Sequence, residues 1–331
     1  MSAPLLLAVV HYNMCILGTV FNAVTLAVIA MQTPKTLTCY AVTLFSQTLL
    51  LMLTCIASGV HFARIIPNGI STFVVSSGPV HLFRQVTMLL PLSVEMGFYF
   101  ECFLLHGHSH YCTMLAECFV YRYYVFVRPP PSFRAIWLLV LLVYLPTAVI
   151  FSWAASSASL LDEATARAIL APRGSSYVFD DDVLVVGISS VLEPCNLTGI
   201  FWVSGLWIPC YAVIILNGSL MYRTLLTNTR SYRMSERTRA MQRDIAMGLV
   251  VQACLPVMYG VSALMFAIGQ INERSVVEVE YLTHMAGEVC LMLTPLTTLY
   301  FVQPYRQTIV QLVYKKKVLP QSYYTSINEL K

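Results

Sequence analysis

AIWLLVLLVYLPTAVIFSWAA, Ala135 to Ala155, runs for twenty-one residues without a charged side chain. At about 1.5 Å of rise per helical residue, such a run crosses a hydrocarbon core roughly 30 Å thick. Comparable runs lie on both sides of it: Leu5 to Met31, Leu37 to Val60, part of Val86 to Phe126, Gly199 to Tyr222, Ile245 to Ile268 and Tyr281 to Val302. Seven spans therefore occupy most of the 331 residues.

The composition has the same meaning. Apolar residues make up 57% and charged ones 11%, and the mean hydropathy is +0.70, far from the balance of a soluble domain. Lipid offers backbone groups no hydrogen-bond partner, so long apolar runs mean helices, and a β-barrel of short alternating segments is excluded. The first run lacks a basic leader and exceeds a signal h-region, which makes it a retained span. The expected fold is all-α, a seven-transmembrane helix bundle forming a single domain over residues 1–331. Its spans fall at about 5–31, 37–60, 96–122, 135–155, 199–222, 245–268 and 281–302, followed by a short amphipathic helix at about 304–316 and a cytoplasmic tail at 317–331.

Basic residues concentrate in cytoplasmic loops. Fifteen of the twenty Lys and Arg fall in alternate connections on one side, and Arg64, Arg84, Arg167, Arg173 and Arg274 fall on the other. The N-terminus is thus expected outside and the C-terminus inside, in a multi-pass plasma-membrane protein. The net charge of +4 reflects this asymmetry and gives no reason to invoke nucleic acid. The longest outer loop, about Ser156 to Leu197, is acidic and reads as exposed and solvated. Asp180 to Asp182 lack the spacing of a calcium loop. The sequon Asn196-Leu-Thr198 makes Asn196 a glycosylation candidate despite its closeness to the fifth span, whereas Asn217-Gly-Ser219 lies within that span. The ten cysteines include no CxxC pair, so a zinc site is not expected. A disulfide between Cys102 and Cys195 is one arrangement open to the outer end of the third helix.

The third run carries Glu95, Glu101, His106, His108, His110 and Glu117. Ionisable groups at membrane depth face the bundle interior, a wet cavity or each other, so this helix should be central. His106 and His110 share one helical face at i, i+4, which resembles a two-His metal box. The remaining histidines, His11, His61, His81 and His284, stand singly in the sequence, too few for a membrane di-iron enzyme. Hydrogen bonding to a neighbouring helix such as the one carrying Glu288 is the plainer reading, with ligand binding or a pH response as the alternative. No metal, cofactor or catalytic nucleophile–base pair is expected, and the chain is not read as an enzyme.

At the cytoplasmic ends, Tyr121-Arg122-Tyr123-Tyr124 closes the third helix around one permanent cation. The connection between the fifth and sixth spans adds Arg233, Arg237, Arg239 and Arg243. Positive charge beside anionic lipid accounts for much of this; a docking surface for a heterotrimeric G protein, with Arg122 held at rest by Glu236 or Asp244, is the functional alternative. Pro256 and Pro295 supply hinges in the sixth and seventh spans.

The chain resembles nematode serpentine chemoreceptors of the delta class, within the Str superfamily. The resemblance rests on Pro34-Lys35, Arg64-Ile-Ile-Pro67-Asn-Gly69 followed by Ser77-Gly78-Pro79, Leu105-His106 with His110, Tyr121-Arg122-Tyr-Tyr124, and Pro295-Leu-Thr-Thr-Leu-Tyr-Phe-Val-Gln-Pro304-Tyr-Arg306. It covers nearly the full length. One departure is Val80, where the family usually has Cys after Gly-Pro; this leaves Cys195 without the partner that relatives imply. The resemblance implies a small odorant or pheromone-like ligand, signalling to a heterotrimeric G protein, and residence in sensory neuron cilia.

Two functions are weighed. In the first, a ligand entering from outside binds the outer half of the bundle, at Glu101, His106, Trp202, Trp207, Tyr259 and Glu288, and shifts a conformational equilibrium. In the second, the ionisable third helix serves a transporter or channel, against which stand an odd number of spans and the lack of an internal repeat.

Overall fold

The computed structural model describes residues 3–79, 93–181, 183–226, 236–273 and 275–314. In chain order the described residues form α1 (Ala3–Gln32), α2 (Thr38–His61), strands β1 (Ala63–Asn68) and β2 (Ser71–Ser76), α3 (Ser93–Val127) and α4 (Phe133–Ser157). There follow β3 (Leu160–Leu161), α5 (Glu163–Leu170), β4 (Leu184–Ile188), α6 (Pro194–Gly205), α7 (Trp207–Leu226), α8 (Glu236–Cys254), α9 (Val257–Asn272), α10 (Val277–Phe301) and α11 (Gln303–Tyr314). Helices α6 and α7 form one column broken at Leu206, α8 and α9 another broken beside Pro256. With α1 to α4 and α10 these make seven columns.

Five segments, Pro4–Gln32, Lys35–His61, Phe133–Ser157, Pro194–Thr224 and Arg239–Asn272, are long and apolar enough to cross a membrane by themselves. The two columns outside that set, α3 and α10, carry the carboxylates at membrane depth and most of the imidazoles. Their place explains their composition: α3 packs against α2, α4 and α7, and α10 against α1, α8 and α9, so their polar groups meet protein. Helix α4 is the opposite case. Leu138, Leu142, Leu145 and Val149 recur at helical spacing on its surface and are exposed, the stripe expected of a lipid-facing helix. Ser132 caps its start by accepting from the Ala135 N–H at 3.3 Å. Helix α11 turns away from α10 by 94°, held by the Tyr305 hydroxyl against Thr33 at 2.8 Å.

The acidic outer loop is not the wholly solvated segment its composition suggests. Together with the first outer loop it builds a four-stranded antiparallel sheet in the order β1-β2-β4-β3, with Ile65 opposite Val74 and Val74 opposite Val186. Alternation along the strands separates two faces. Ile66, Phe73, Val75 and Val185 pack under Ala166 and Leu170 of α5, while Val186 turns inward onto Phe98 and Cys102 of α3. Asp162 caps α5 through Thr165, whose hydroxyl and backbone N–H, the latter at 2.8 Å, hold its carboxyl below the usual aspartate range. Arg64, buried, fixes the sheet to the bundle. It donates to Glu280 at 2.6 Å and to the Ser176 carbonyl at 2.9 Å, with its guanidinium 4.7 Å from the Tyr177 ring centre.

The two prolines of the sixth and seventh columns differ. Pro256 separates α8 from α9, and the Gln252 carbonyl it leaves without its helical donor accepts from Leu255 N–H at 3.2 Å. Pro295 sits inside α10, which continues to Phe301. The Leu291 carbonyl, one turn back, accepts instead from Asn22 of α1 at 3.1 Å. Gln252 then ties the two columns, donating to Thr297 and Thr298 hydroxyls at 2.8 and 3.0 Å.

Gly107 is where α3 comes close to α2: a Cβ there would overlap Thr54 Oγ1 and stand 2.8 Å from its Cγ2. Gly107→Val is expected to cost about 1–3 kcal/mol through overpacking, read as a lowered melting temperature of the purified protein. Gly205→Ala, with open space around the added methyl, is expected to stay within about 0.5 kcal/mol.

Candidate functional site

Below the inner face of the sheet, between α3, α4, α6, α9 and α10, lies a cavity of about 120 Å³. Val74, Leu105, Phe151, Val203, Ala263 and Phe266 supply much of its wall. Its polar boundary includes Glu101, Asn196, Thr283 and His284. Apolar cavities of roughly 150 Å³ accept a single aromatic ring, which sets the scale of what fits.

Its floor adjoins a layer of buried titratable side chains. Glu101 Oε2 stands 3.0 Å from His284 Nε2 and 3.6 Å from His61 Nε2. These are close approaches off the line of a hydrogen bond. His61 Nδ1 meets Ser76 Oγ of β2 at 2.7 Å, so the sheet is coupled to the layer. Deeper, Glu288 Oε1 lies 2.7 Å from His11 Nδ1 and accepts from Ser58 at 2.6 Å. His108 donates Nδ1–H to the Leu104 carbonyl at 2.8 Å and stacks on Tyr259, centroids 4.8 Å apart. Gly287 permits this, because a Cβ there would overlap the His108 ring. Four helices, α1, α2, α3 and α10, contribute to the layer.

At the opposite end Arg122 is buried. Its guanidinium lies 3.3 Å from the centre of the Tyr40 ring, and Nη1 donates to Gln242 Oε1 at 2.9 Å. Tyr40 in turn stacks on Tyr121 at 5.8 Å. The expectation that Asp244 holds Arg122 is corrected here. Asp244 is 3.8 Å from Arg306, and the neutral amide of Gln242, two residues earlier on α8, points at Arg122 instead. The Glu236 side chain lies outside the described residues.

A carbon-walled cavity at one end of seven helices and a caged arginine at the other are joined by one further observation. The sequence model described as serpentine type 7TM GPCR chemoreceptor Srd matches residues 7–311. The chain belongs to the Srd family. Among its relatives, serpentine receptor class delta-1 of Caenorhabditis elegans is 28% identical over 309 residues, 91% of this chain and 79% of that one. Class delta-3 of the same organism is 24% identical over 310 residues, 91% and 86% of the two. Squid rhodopsin superposes with a TM-score of 0.63 at 10% identity, covering 95% of this chain and 87% of its own, which shows the seven-transmembrane fold.

In this Srd-family chain the six ligand candidates separate. Glu101 and Tyr259 line the main cavity. His106 faces a second hollow, of about 200 Å³, with Tyr144 and Phe151; its ring lies parallel to His110 at 5.7 Å, so the two imidazoles stack rather than converge on one point. Trp202 donates to Thr147 of α4 at 3.2 Å, and Trp207 lies on an outer groove with Ile208 and Leu264. Glu288 is engaged below the cavity by His11 of α1. The Asn196 amide turns inward, donating to the Ser190 carbonyl at 2.9 Å and to Glu193 at 3.3 Å. Cys102 and Cys195 are both buried free thiols, so the disulfide is not formed in this structure.

Of the basic-end residues, Tyr121 is buried, Tyr123 half-buried and Arg243 exposed, while Arg239 is half-buried and engaged. Arg233, with His81, Arg84, Arg274, Lys315 to Lys317 and the tail, lies outside the described residues, as does the Arg237 side chain. Sequence reading missed His11, His61, His284, Tyr40 and Gln242, none of which falls in a motif. Placement at membrane depth was the available signal.

Removing one partner of a buried ionic contact leaves the others uncompensated. Glu101→Ala is expected to destabilise by about 3–5 kcal/mol on that principle, measured by thermal unfolding in detergent. Glu95→Ala, which removes only an exposed contact to Tyr99, is expected to change little.

Proposed function

We propose that the chain is a chemosensory receptor whose cavity beneath the sheet takes a small, neutral, largely apolar molecule of odorant or pheromone type, and which signals to a heterotrimeric G protein at its Arg122 end. The observation that carries this reading is that the two buried carboxylates at and just below the cavity already have polar neighbours. Glu101 is flanked by two imidazoles and Glu288 by an imidazole and a hydroxyl, so an amine would have to compete with these neighbours. What remains for a ligand is hydrocarbon contact, with Asn196 and Thr283 at hand for one hydrogen bond. Family membership supports the receptor class, and the positive-inside rule applied to the basic connections supports a cytoplasmic Arg122 end. By the same reading the protein resides in the plasma membrane, in sensory cilia.

In this mechanism the resting state holds Arg122 between the Tyr40 ring and Gln242, both uncharged partners. A cation on an aromatic face and one amide is restrained by a few kcal/mol at most, within the range a ligand's differential affinity can overcome. Releasing it frees the cation for a partner protein's carbonyls or carboxylates, alongside Tyr121, Tyr123, Arg233, Arg237, Arg239 and Arg243.

The test is expression in a reporter cell with a promiscuous Gα, screened with small volatile molecules. A saturable response should appear. Ala263→Phe, which fills the cavity, should raise the half-maximal concentration at least about tenfold, a loss of roughly 1.4 kcal/mol in binding, and Arg122→Ala should abolish the response without loss of surface protein. Gln242→Ala should raise ligand-free signalling. Currents or uptake that survive Arg122→Ala would instead establish the transporter or channel reading.

A further inference from the structure

We propose that His11, Cys15 and Glu288 form a buried binding site for a transition-metal ion of the zinc class, set between α1, α2 and α10 and separate from the ligand cavity. One nitrogen of His11, the Cys15 sulfur and a Glu288 oxygen lie within 4.8 Å of one another, and all three residues are buried. Donor atoms around a tetrahedral zinc, bonded at about 2.0–2.3 Å, stand roughly 3.3–3.7 Å apart. Small side-chain adjustments therefore suffice to close the three on one ion.

The contacts of His11 turn one ring nitrogen toward the carboxylate. Its Nε2 lies 3.1 Å from the Ser58 carbonyl, a group that only accepts, so Nε2 carries the hydrogen. In the neutral ring Nδ1 then presents a lone pair, and it points at Glu288 Oε1 2.7 Å away. That oxygen already accepts from the Ser58 hydroxyl at 2.6 Å. A shared proton accounts for that distance, and an ion bonded to both atoms takes its place by parting them to about 3.3 Å.

Two further atoms separate these cases. Glu288 Oε2 is buried without a hydrogen-bond partner, and Cys15 Sγ sits 3.8 and 4.0 Å from the two ring nitrogens. A metal ion would give Oε2 a partner and bring the sulfur, already beside the ring, onto the same centre. The Nε2–H to carbonyl bond is also the outer-shell contact that metal-bound histidines generally make, fixing the tautomer with the other nitrogen free to ligate. Thiolate, imidazole and carboxylate together suit zinc and exclude magnesium or calcium, which take oxygen donors. On binding, the Cys15 thiol loses its proton to solvent as sulfur bonds the ion.

Sequence spacing concealed this site. His11 and Cys15 are i, i+4 on one face of α1, but the third ligand is 273 positions later on α10. Gly59 of α2 assists, since a Cβ there would stand 3.3 Å from Cys15 Cβ. Ligating α1 to α10 would lock two columns that also share the Asn22 to Leu291 contact.

The experiment uses the full chain in nanodiscs, dialysed against micromolar zinc and then against metal-free buffer, with zinc counted by mass spectrometry. About one zinc per chain is expected in the wild type and in Cys254→Ser, whose thiol is exposed. A loss of affinity of about tenfold or more is expected in Cys15→Ala and in Glu288→Gln. Cobalt substitution gives a second readout: a sulfur-to-cobalt charge-transfer band present in the wild type and absent in Cys15→Ala. Should a variant fail to fold, the wild-type band and zinc count still decide the matter. A wild-type chain that retains no zinc and shows no such band, or variants that bind as the wild type does, would overturn the proposal in favour of a shared proton.

Discussion

A carboxylate at membrane depth has no water to stabilise it, and this constraint organises the bundle. Charged groups there persist only when protein supplies the compensation. Glu101 finds it in His61 and His284, and Glu288 in His11 and Ser58. Each carboxylate thereby recruits a different pair of helices. Glu101 joins α3 to α2 and α10; Glu288 joins α10 to α1 and α2. Hydrophobicity brings apolar helices into lipid but gives them little reason to prefer one neighbour over another. The imidazole–carboxylate contacts supply that preference for α3 and α10; Glu117 of α3, buried with neither oxygen hydrogen-bonded among the described residues, is the exception.

The sheet extends this logic to the bundle's mouth. Its inner face needs apolar contact and finds Phe98 and Cys102, while its outer face is covered by α5. Arg64 enters the same junction with its charge opposed by Glu280 and its plane among the Tyr177, Phe179 and Tyr281 rings. Tyr177 also donates its hydroxyl to Glu280 at 3.0 Å; burial and that nearby carboxylate raise the phenol above its usual range, so it stays a donor. The cavity is therefore roofed by a rigid element rather than by a free loop, and a ligand reaching it must pass the sheet's margin or the gaps between columns.

The seven-column architecture was legible because it depends on a property every window reports, mean apolarity over some twenty residues. Even α10, despite its acids, read as an apolar run, and α3 could be located by counting one span length back from Arg122. The sheet was not legible. Its strands are short, and a run such as Leu184–Ile188, so close to Asp180 and Asp181, averages to a polar loop. The partners of Glu101 and Glu288 were hidden for another reason: His11, His61 and His284 each look incidental until tertiary structure brings them together. Arg122 shows the limit of charge reasoning. Sequence favoured a carboxylate partner, yet the fold presents an aromatic face and an amide, because Tyr40 and Gln242 occupy the facing positions and Asp244 turns toward Arg306.

The two ends of the molecule are connected through the sixth column, and its break determines how. The cavity touches Tyr259, Ser262, Ala263 and Phe266, all of α9, whereas Arg122 is held by Gln242 of α8. Between them Pro256 interrupts the backbone ladder, so a tilt of α9 need not carry α8 with it as a rigid rod. What restores the connection is Gln252, bonded to Thr297 and Thr298 of α10, and the Cys290 thiol donating to the Leu255 carbonyl at 3.0 Å. These contacts cross the break by way of α10. On the receptor reading, a ligand that displaces Tyr259 from His108 must therefore act on α8 through the seventh column. The polar contacts around Gln252, rather than the proline alone, set how much of that displacement reaches Arg122.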